Sequence, residues 1–96
     1  PLTVGADGAR SRVREWAAMP TRQWSYEQSA IVGTVALASR HQHTCWQAFL
    51  DSGPLALLPL ADEDKVAIVW SLDEAQHEQI AALSDDAFVS ALNRAL

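Results

Sequence analysis

The residues best suited to chemistry lie near the start of the chain, in the stretch GADGARSRVR, Gly5 to Arg14. Gly5 and Gly8 allow a backbone to turn sharply and approach a ligand, because neither carries a Cβ. Asp7, between them, can accept hydrogen bonds from ribose hydroxyls or fix the loop. Arg10, Ser11 and Arg14 follow at the start of a helical pattern, where exposed donors suit a pyrophosphate. The same residues also make an ordinary Asp-Gly turn with a solvated basic face, so the segment alone leaves two readings open. The basic residues are unevenly placed: four of the seven lie in the first 22 positions of a chain with formal net charge −5.

Two further groupings carry less. His41, His43 and Cys45 alternate and would share one face if extended, and imidazole and thiolate are zinc ligands. Three ligands from one short strand rarely wrap a tetrahedral ion and no fourth partner is evident, so no metal site is expected. Cys45 reads as a small strand hydrophobe and not as a nucleophile. Trp16, Trp24, Trp46 and Trp70, with Phe49, could line an aromatic pocket but read more simply as core and edge residues of a small sheet. The acidic run Asp62 to Asp64 reads as a solvated hairpin tip. No Gly-x-Ser-x-Gly elbow or phosphate-binding P-loop is present.

Composition bounds the rest. Ninety-six residues make one domain at most, and 49% hydrophobic with 20% charged residues describes a folded globular chain. An isoelectric point near 4.9 argues against a nucleic-acid partner. One cysteine excludes an internal disulfide and fits a reducing compartment. No apolar run reaches transmembrane length and no signal peptide is visible. A chain that opens at Pro1 and stops in mid-pattern at Leu96 reads as a piece of a longer protein.

The elements that must position these residues can be read in order. LTVGADG looks like the end of a buried strand, followed by a short helix with Ala9, Val13, Trp16 and Ala17 on one face, stopped by Pro20. Tyr26 to Ala38 is a strand, and RHQH a turn. TCWQAFL, LALLPL and VAIVWS are three more strands, separated by DSGP and ADEDK. Pro59 removes a ladder donor and predicts an edge or bulge. Short polar turns favour an antiparallel meander. Ser71 and Glu74 have capping-box spacing, opening a helix with Ala75, Ile80 and Leu83 on its apolar side. Ser84 caps a last helix with Asp85 and Asp86 in its first turn and a Phe88, Leu92, Leu96 stripe. The fold class is α+β: an antiparallel sheet of about four strands with helices packed on one side.

The string as a whole resembles a family. GADGARSRVR is similar to the Asp-Gly motif of class A FAD-dependent aromatic hydroxylases. AIVGTV, then H…CWQAFLDSGPLALLPLAD, then VAIVWSLDEAQ resemble the ubiquinone-biosynthesis branch of these monooxygenases. The resemblance covers nearly the whole chain. It implies that Gly5, Asp7, Gly8, Arg10, Ser11 and Arg14 lie near the FAD pyrophosphate, in a segment also tied to NAD(P)H. Residues 1–20 would end the FAD-binding domain, and residues 21–96 would be part of the substrate-binding domain. The enzyme it implies hydroxylates the aromatic ring of a polyprenyl-phenol, using NAD(P)H and O2, and is cytoplasmic or peripheral at the inner membrane. The Gly-x-Gly-x-x-Gly segment for the ADP half of FAD is missing, so FAD is expected to belong to the parent and not to bind this piece alone. No catalytic residue can be named within it. The cut sheet, with AIVGTVALA and LALLPL as uncharged edges, predicts homo-oligomers. The alternatives are a hydroxylase of a small soluble phenol and a stand-alone α+β interaction module.

Overall fold

The computed structural model describes residues 1–96. Its elements are α1 (Arg12–Trp16), β1 (Gln28–Ala36), β2 (Trp46–Leu50), β3 (Gly53–Pro59), β4 (Lys65–Asp73), α2 (Glu74–Ala81) and α3 (Asp85–Ala95). The four strands form one antiparallel sheet in the order β1-β4-β3-β2. The expected α+β sheet with helices is therefore present. The meander holds only for β2-β3-β4, because β1 pairs with the last strand along its whole length, Gln28 with Asp73 through Ala36 with Lys65.

The reason is burial. Alternation along β4 sends Val66, Ile68, Trp70 and Leu72 to one face, and all four are buried. A strand this apolar belongs in the interior of the sheet, with a neighbour on each side. Leu55 and Leu57 of β3 join it from one side, Ile31 and Val35 of β1 from the other, and Leu92 of α3 closes the core. The opposite face of the sheet carries Val32, Ala56, Leu58, Ala67 and Val69 and has no helix over it; Val32 is 69% exposed.

Prolines and glycines sit where the ladders allow them. β3 is interior, against its expected role as an edge. Its pairing with β2 covers only Gly53–Leu57, so at Pro59 one side is free and the missing N–H costs no ladder bond. Gly53 has φ +122°, and a Cβ there would stand 2.3 Å from the Ser71 carbonyl oxygen. Only glycine fits this end of the Asp51–Ser52 turn.

The helices differ from expectation at their ends. Ser71 remains in β4. Asp73 caps α2 instead, accepting from the Gln76 N–H at 2.8 Å. Ala75 is exposed, and α2 packs through Ile80 with Gln76 and His77 partly buried. Ser84 caps α3 through its carbonyl, which accepts from the Phe88 N–H at 2.8 Å, without a side-chain bond. The stripe of α3 is Phe88, Ala91, Leu92 and Ala95, while Leu96 is exposed. LTVG forms no strand, since no other strand of the sheet lies beside it to complete a ladder.

The connection from β1 to β2 has to cross the end of the sheet, and a histidine holds it there. His41 is fully buried. Its Nδ1 accepts from the His43 N–H at 3.0 Å, which puts the proton on Nε2, and Nε2 lies 3.1 Å from both the Leu60 and Asp62 carbonyl oxygens. The Leu37 and His41 N–H groups donate to Asp64 and Glu63 of the same β3–β4 turn. The acidic tip is thus an anchoring surface as well as a solvated one. His41 also steadies a strained turn: Gln42 and His43 have φ +51° and +54°, without glycine or asparagine at either position.

Candidate functional site

The stretch Gly5–Arg14 folds around Asp7. Its Oδ2 accepts from the Arg12 N–H at 2.7 Å and the Val13 N–H at 3.3 Å. Ser11 caps α1 as well, its Oγ accepting from the Arg14 N–H at 3.1 Å. A five-residue helix is far too short to hold itself, so these two side chains and a close contact make it possible. The contact is Gly5 against Val13: a Cβ on Gly5 would meet the Val13 Cβ at 2.9 Å. Ala18, at φ +51°, ends the helix before Pro20 is reached. The Ser11 hydroxyl first, then the Arg12 and Val13 N–H groups, holds the Asp7 carboxyl below its ordinary range despite some desolvation.

The backbone donors that the sequence offered to a phosphate are therefore engaged by Asp7 and Ser11. The guanidinium groups are what remain for an anion. Arg14 donates from Nη2 to the Ala9 carbonyl at 2.6 Å, which uses one of its five N–H bonds and sets its direction. Arg12 lies over the Trp16 ring, 5.9 Å from its centroid. The ion pairs of the chain are Arg40–Glu63 and Lys65–Asp62, so Arg10, Arg12, Arg14 and Arg22 have no carboxylate within 4.0 Å. Gly8, at φ +84°, has open space where a side chain would stand.

The other groupings disperse. His41 has both ring nitrogens engaged, His43 meets it edge to face, and Cys45 is exposed. Trp70 is core and Trp46 lies on the edge strand β2, but Trp16 and Trp24 belong to neither and are exposed. Arg22, Trp24 and Tyr26 come close to Arg14, a grouping the sequence reading missed. The available signal was an arginine and two aromatics within five residues, Arg22, Trp24 and Tyr26, in the stretch that leads into the first strand.

No protein-family model matches the chain. A search of curated proteins found relatives over almost its full length. It is 40% identical over 95 residues to "Ubiquinone biosynthesis monooxygenase COQ6, mitochondrial" of Danio rerio, covering 98% of this chain and 19% of the relative. The protein of the same name in Homo sapiens is 39% identical over 95 residues, covering 98% of this chain and 20% of the relative. A Synechocystis protein, slr1300, described as uncharacterized, is 33% identical over 93 residues, covering 97% of this chain and 22% of the relative. The chain is homologous to one fifth of a ubiquinone biosynthesis monooxygenase. The likeness read from GADGARSRVR and the strand segments is thereby borne out, and the same segment recurs in a cyanobacterial protein. The fifth that matches these monooxygenases contains the whole Asp7 turn and all four strands. No helix is long and apolar enough to cross a membrane.

Proposed function

We propose that the chain is the part of a flavin-dependent aromatic-ring monooxygenase where the cofactor side meets the substrate side. The complete enzyme hydroxylates the ring of a polyprenyl-phenol intermediate of ubiquinone biosynthesis, using NAD(P)H and O2. The observation that carries this reading is the 39–40% identity to named monooxygenases across 95 residues. Residues 1–20 end the FAD-binding domain and residues 21–96 belong to the substrate domain. In the isolated 96-residue chain most of the flavin's contacts are missing.

Gly5, Asp7, Gly8, Arg10, Ser11 and Arg14 stand beside the FAD pyrophosphate in this reading. The residues fit that role through side chains: Arg10 and Arg14 have no carboxylate partner, and the backbone at Gly8 is open to close approach. Asp7 and Ser11 are positioning residues that hold the turn from which the arginines project. When bound, the flavin supplies the redox chemistry that activates oxygen. The sheet's uncovered apolar face, with Val32, Ala56, Leu58 and Val69, would serve as an apolar wall on the substrate side of the complete enzyme. A long apolar substrate tail favours a position at the surface of the inner membrane over a purely cytoplasmic one.

The test uses a complete monooxygenase that carries this segment. It is expected to purify with one flavin per chain and to hydroxylate a polyprenyl-phenol. Asp7→Ala and Arg10→Ala are expected to lower flavin content with little change in melting temperature. Normal flavin content with a large loss of thermal stability would remove both from the cofactor site. Turnover of small soluble phenols without turnover of tailed ones would overturn the substrate assignment.

A further inference from the structure

We propose that His41 is a proton-operated latch: with a neutral ring it clamps the β1–β2 connection onto the β3–β4 turn, and with a second ring proton it lets the connection go. The latch is independent of the monooxygenase reading and goes beyond it. Its ring is fully buried, and both ring nitrogens are in use. Nδ1 accepts from the His43 N–H at 3.0 Å and so carries no proton. Nε2 carries the single proton and shares it between the Leu60 and Asp62 carbonyl oxygens, each 3.1 Å away.

A second proton has only Nδ1 to go to, where it meets the His43 N–H head on. Two donors make no hydrogen bond, so the charged ring and the His43 contact exclude each other. The backbone favours release. Gln42 and His43 hold φ +51° and +54°, two consecutive left-handed residues without glycine, and this strain relaxes when the turn opens. The surroundings give a charged ring no partner. The connection brings Arg40 and His43, the latter edge to face with ring centroids 5.7 Å apart, and neither offers negative charge. The β3–β4 turn brings Asp62, Glu63, Asp64 and Lys65. Asp62 is paired with Lys65 at 2.6 Å and Glu63 with Arg40 at 2.7 Å, and the turn reaches the ring only through backbone carbonyls. β1 has no charged residue at all.

The part of the sheet that the latch controls is β2. This strand has five residues and pairs on one side only, with β3. Its start at Trp46 is held by the turn before it, where the Thr44 N–H donates to the His41 carbonyl at 2.9 Å and the Thr44 Oγ1 donates to the Gln42 carbonyl at 3.2 Å. Opening at His41 frees this turn and frays β2 from its first residue. β1, β4 and β3 keep their own ladders, so the change stays at one edge of the sheet.

The closed latch holds one proton fewer than the open one, so closing is favoured at high pH and weakens as the pH falls. One proton corresponds to about a tenfold change per pH unit, below about pH 6.5 where a histidine in water takes up its second proton. The test is amide exchange protection, read by NMR on the 96-residue chain. Protection of the His43 and Thr44 amides is expected to fall about tenfold per pH unit between about pH 6.5 and pH 5, with the Trp70 indole signal of the core unchanged. His41→Gln, which has no ring to protonate, is expected to give the same protection across that range. His43→Gln and Glu63→Gln leave the His41 ring in place and are expected to keep the tenfold slope, which holds the test open if His41→Gln fails to fold. Flat protection in the unaltered chain overturns the latch, because it means that the charged ring stays in the clasp. So does a slope that survives in His41→Gln, or one that disappears in His43→Gln or Glu63→Gln, since another group would then be the sensor.

Discussion

The first 27 residues and the remaining 69 are held by different forces. From Gln28 onward the chain is a sheet with two helices, and nine of the ten buried residues lie there. Before Gln28 only Ser11 is buried, and the local structure consists of hydrogen bonds between near neighbours: Asp7 to Arg12, Ser11 to Arg14, Ala9 to Arg14. The radius of gyration shows the consequence, 17.7 Å against about 12 Å for a compact chain of this length. The arm does not gather its apolar side chains into a core: Leu2, Val4, Trp16, Met19, Trp24 and Tyr26 are all exposed. Substitutions in the body should therefore act on stability, and those in the arm on local order and binding.

The sharpest break in that contrast is a cavity in the body. Ile68 is fully buried at the centre of β4. Ile68→Ala is expected to cost about 2–5 kcal/mol in urea unfolding, because the lost methyl groups leave a void among tightly packed neighbours. A loss below about 1 kcal/mol would mean that the core is loosely packed. Gly53→Ala should follow, at about 1–3 kcal/mol for the backbone conformation alone, with the clash at the Ser71 carbonyl adding to it. The same change at Gly8, where nothing stands within 4 Å, meets conformational strain without a clash and should leave the body's unfolding midpoint unmoved.

His41 carries the comparison into a connection. His41→Ala strands the Leu60 carbonyl and the His43 N–H and removes one of the two donors to the Asp62 carbonyl, which keeps the Lys65 N–H, for an expected loss of about 1–3 kcal/mol. Asn or Gly at Gln42, which accept its positive φ more readily, should recover part of that loss. No recovery would show that the turn is not the strained part of the clasp.

These same places mark how far the sequence could be read. The four strands were legible because alternation and β-branched runs are local signals, and the Asp-Gly turn was legible because its residue types are specialised. The partner of β1 was not, since pairing with β4 depends on where the most apolar strand must lie after the whole sheet has formed. Nor was the clasp: a histidine in a polar run reads as a turn residue until a hairpin 20 residues away supplies its acceptors. The cap of α2 shows the limit at short range, for Ser71 had the right spacing but β4 kept it, and Asp73 took the role. In the candidate site, the residue types of the turn were readable, but which donors remained free was a matter of geometry.

Association tests the uncovered surface of the body. The sheet edges are β1 and β2; β3, with its uncharged LALLPL run, is interior and cannot serve as one. β1 has a free ladder along Gln28–Ala36 with no charged residue in it, a template for a second copy. Light scattering of the 96-residue chain is expected to show dimers that Val32→Lys and Thr34→Lys disperse. A monomer of 10.5 kDa at high concentration would mean that this edge does not recruit a partner.

The smallest expected effect belongs to the arm and depends on pH. The folded Asp7 carboxyl titrates below its ordinary value of 3.8, so its contribution to the start of α1 is fully present above that value. It is lost only as pH falls further, through the lowered folded value, because protonation removes the charge that accepts from Ser11, Arg12 and Val13. The Arg12 and Val13 amide signals should therefore move with a midpoint under 3.8, while the Trp70 indole signal in the core stays in place over the same step. Ser11 supplies the largest part of the depression, so Ser11→Ala should raise the midpoint toward 3.8. A midpoint at or above 3.8 in the unaltered chain would show that Asp7 does not close this turn in solution. Movement of the Trp70 signal along with the two amides would show that arm and body fold as one unit, against the division drawn above.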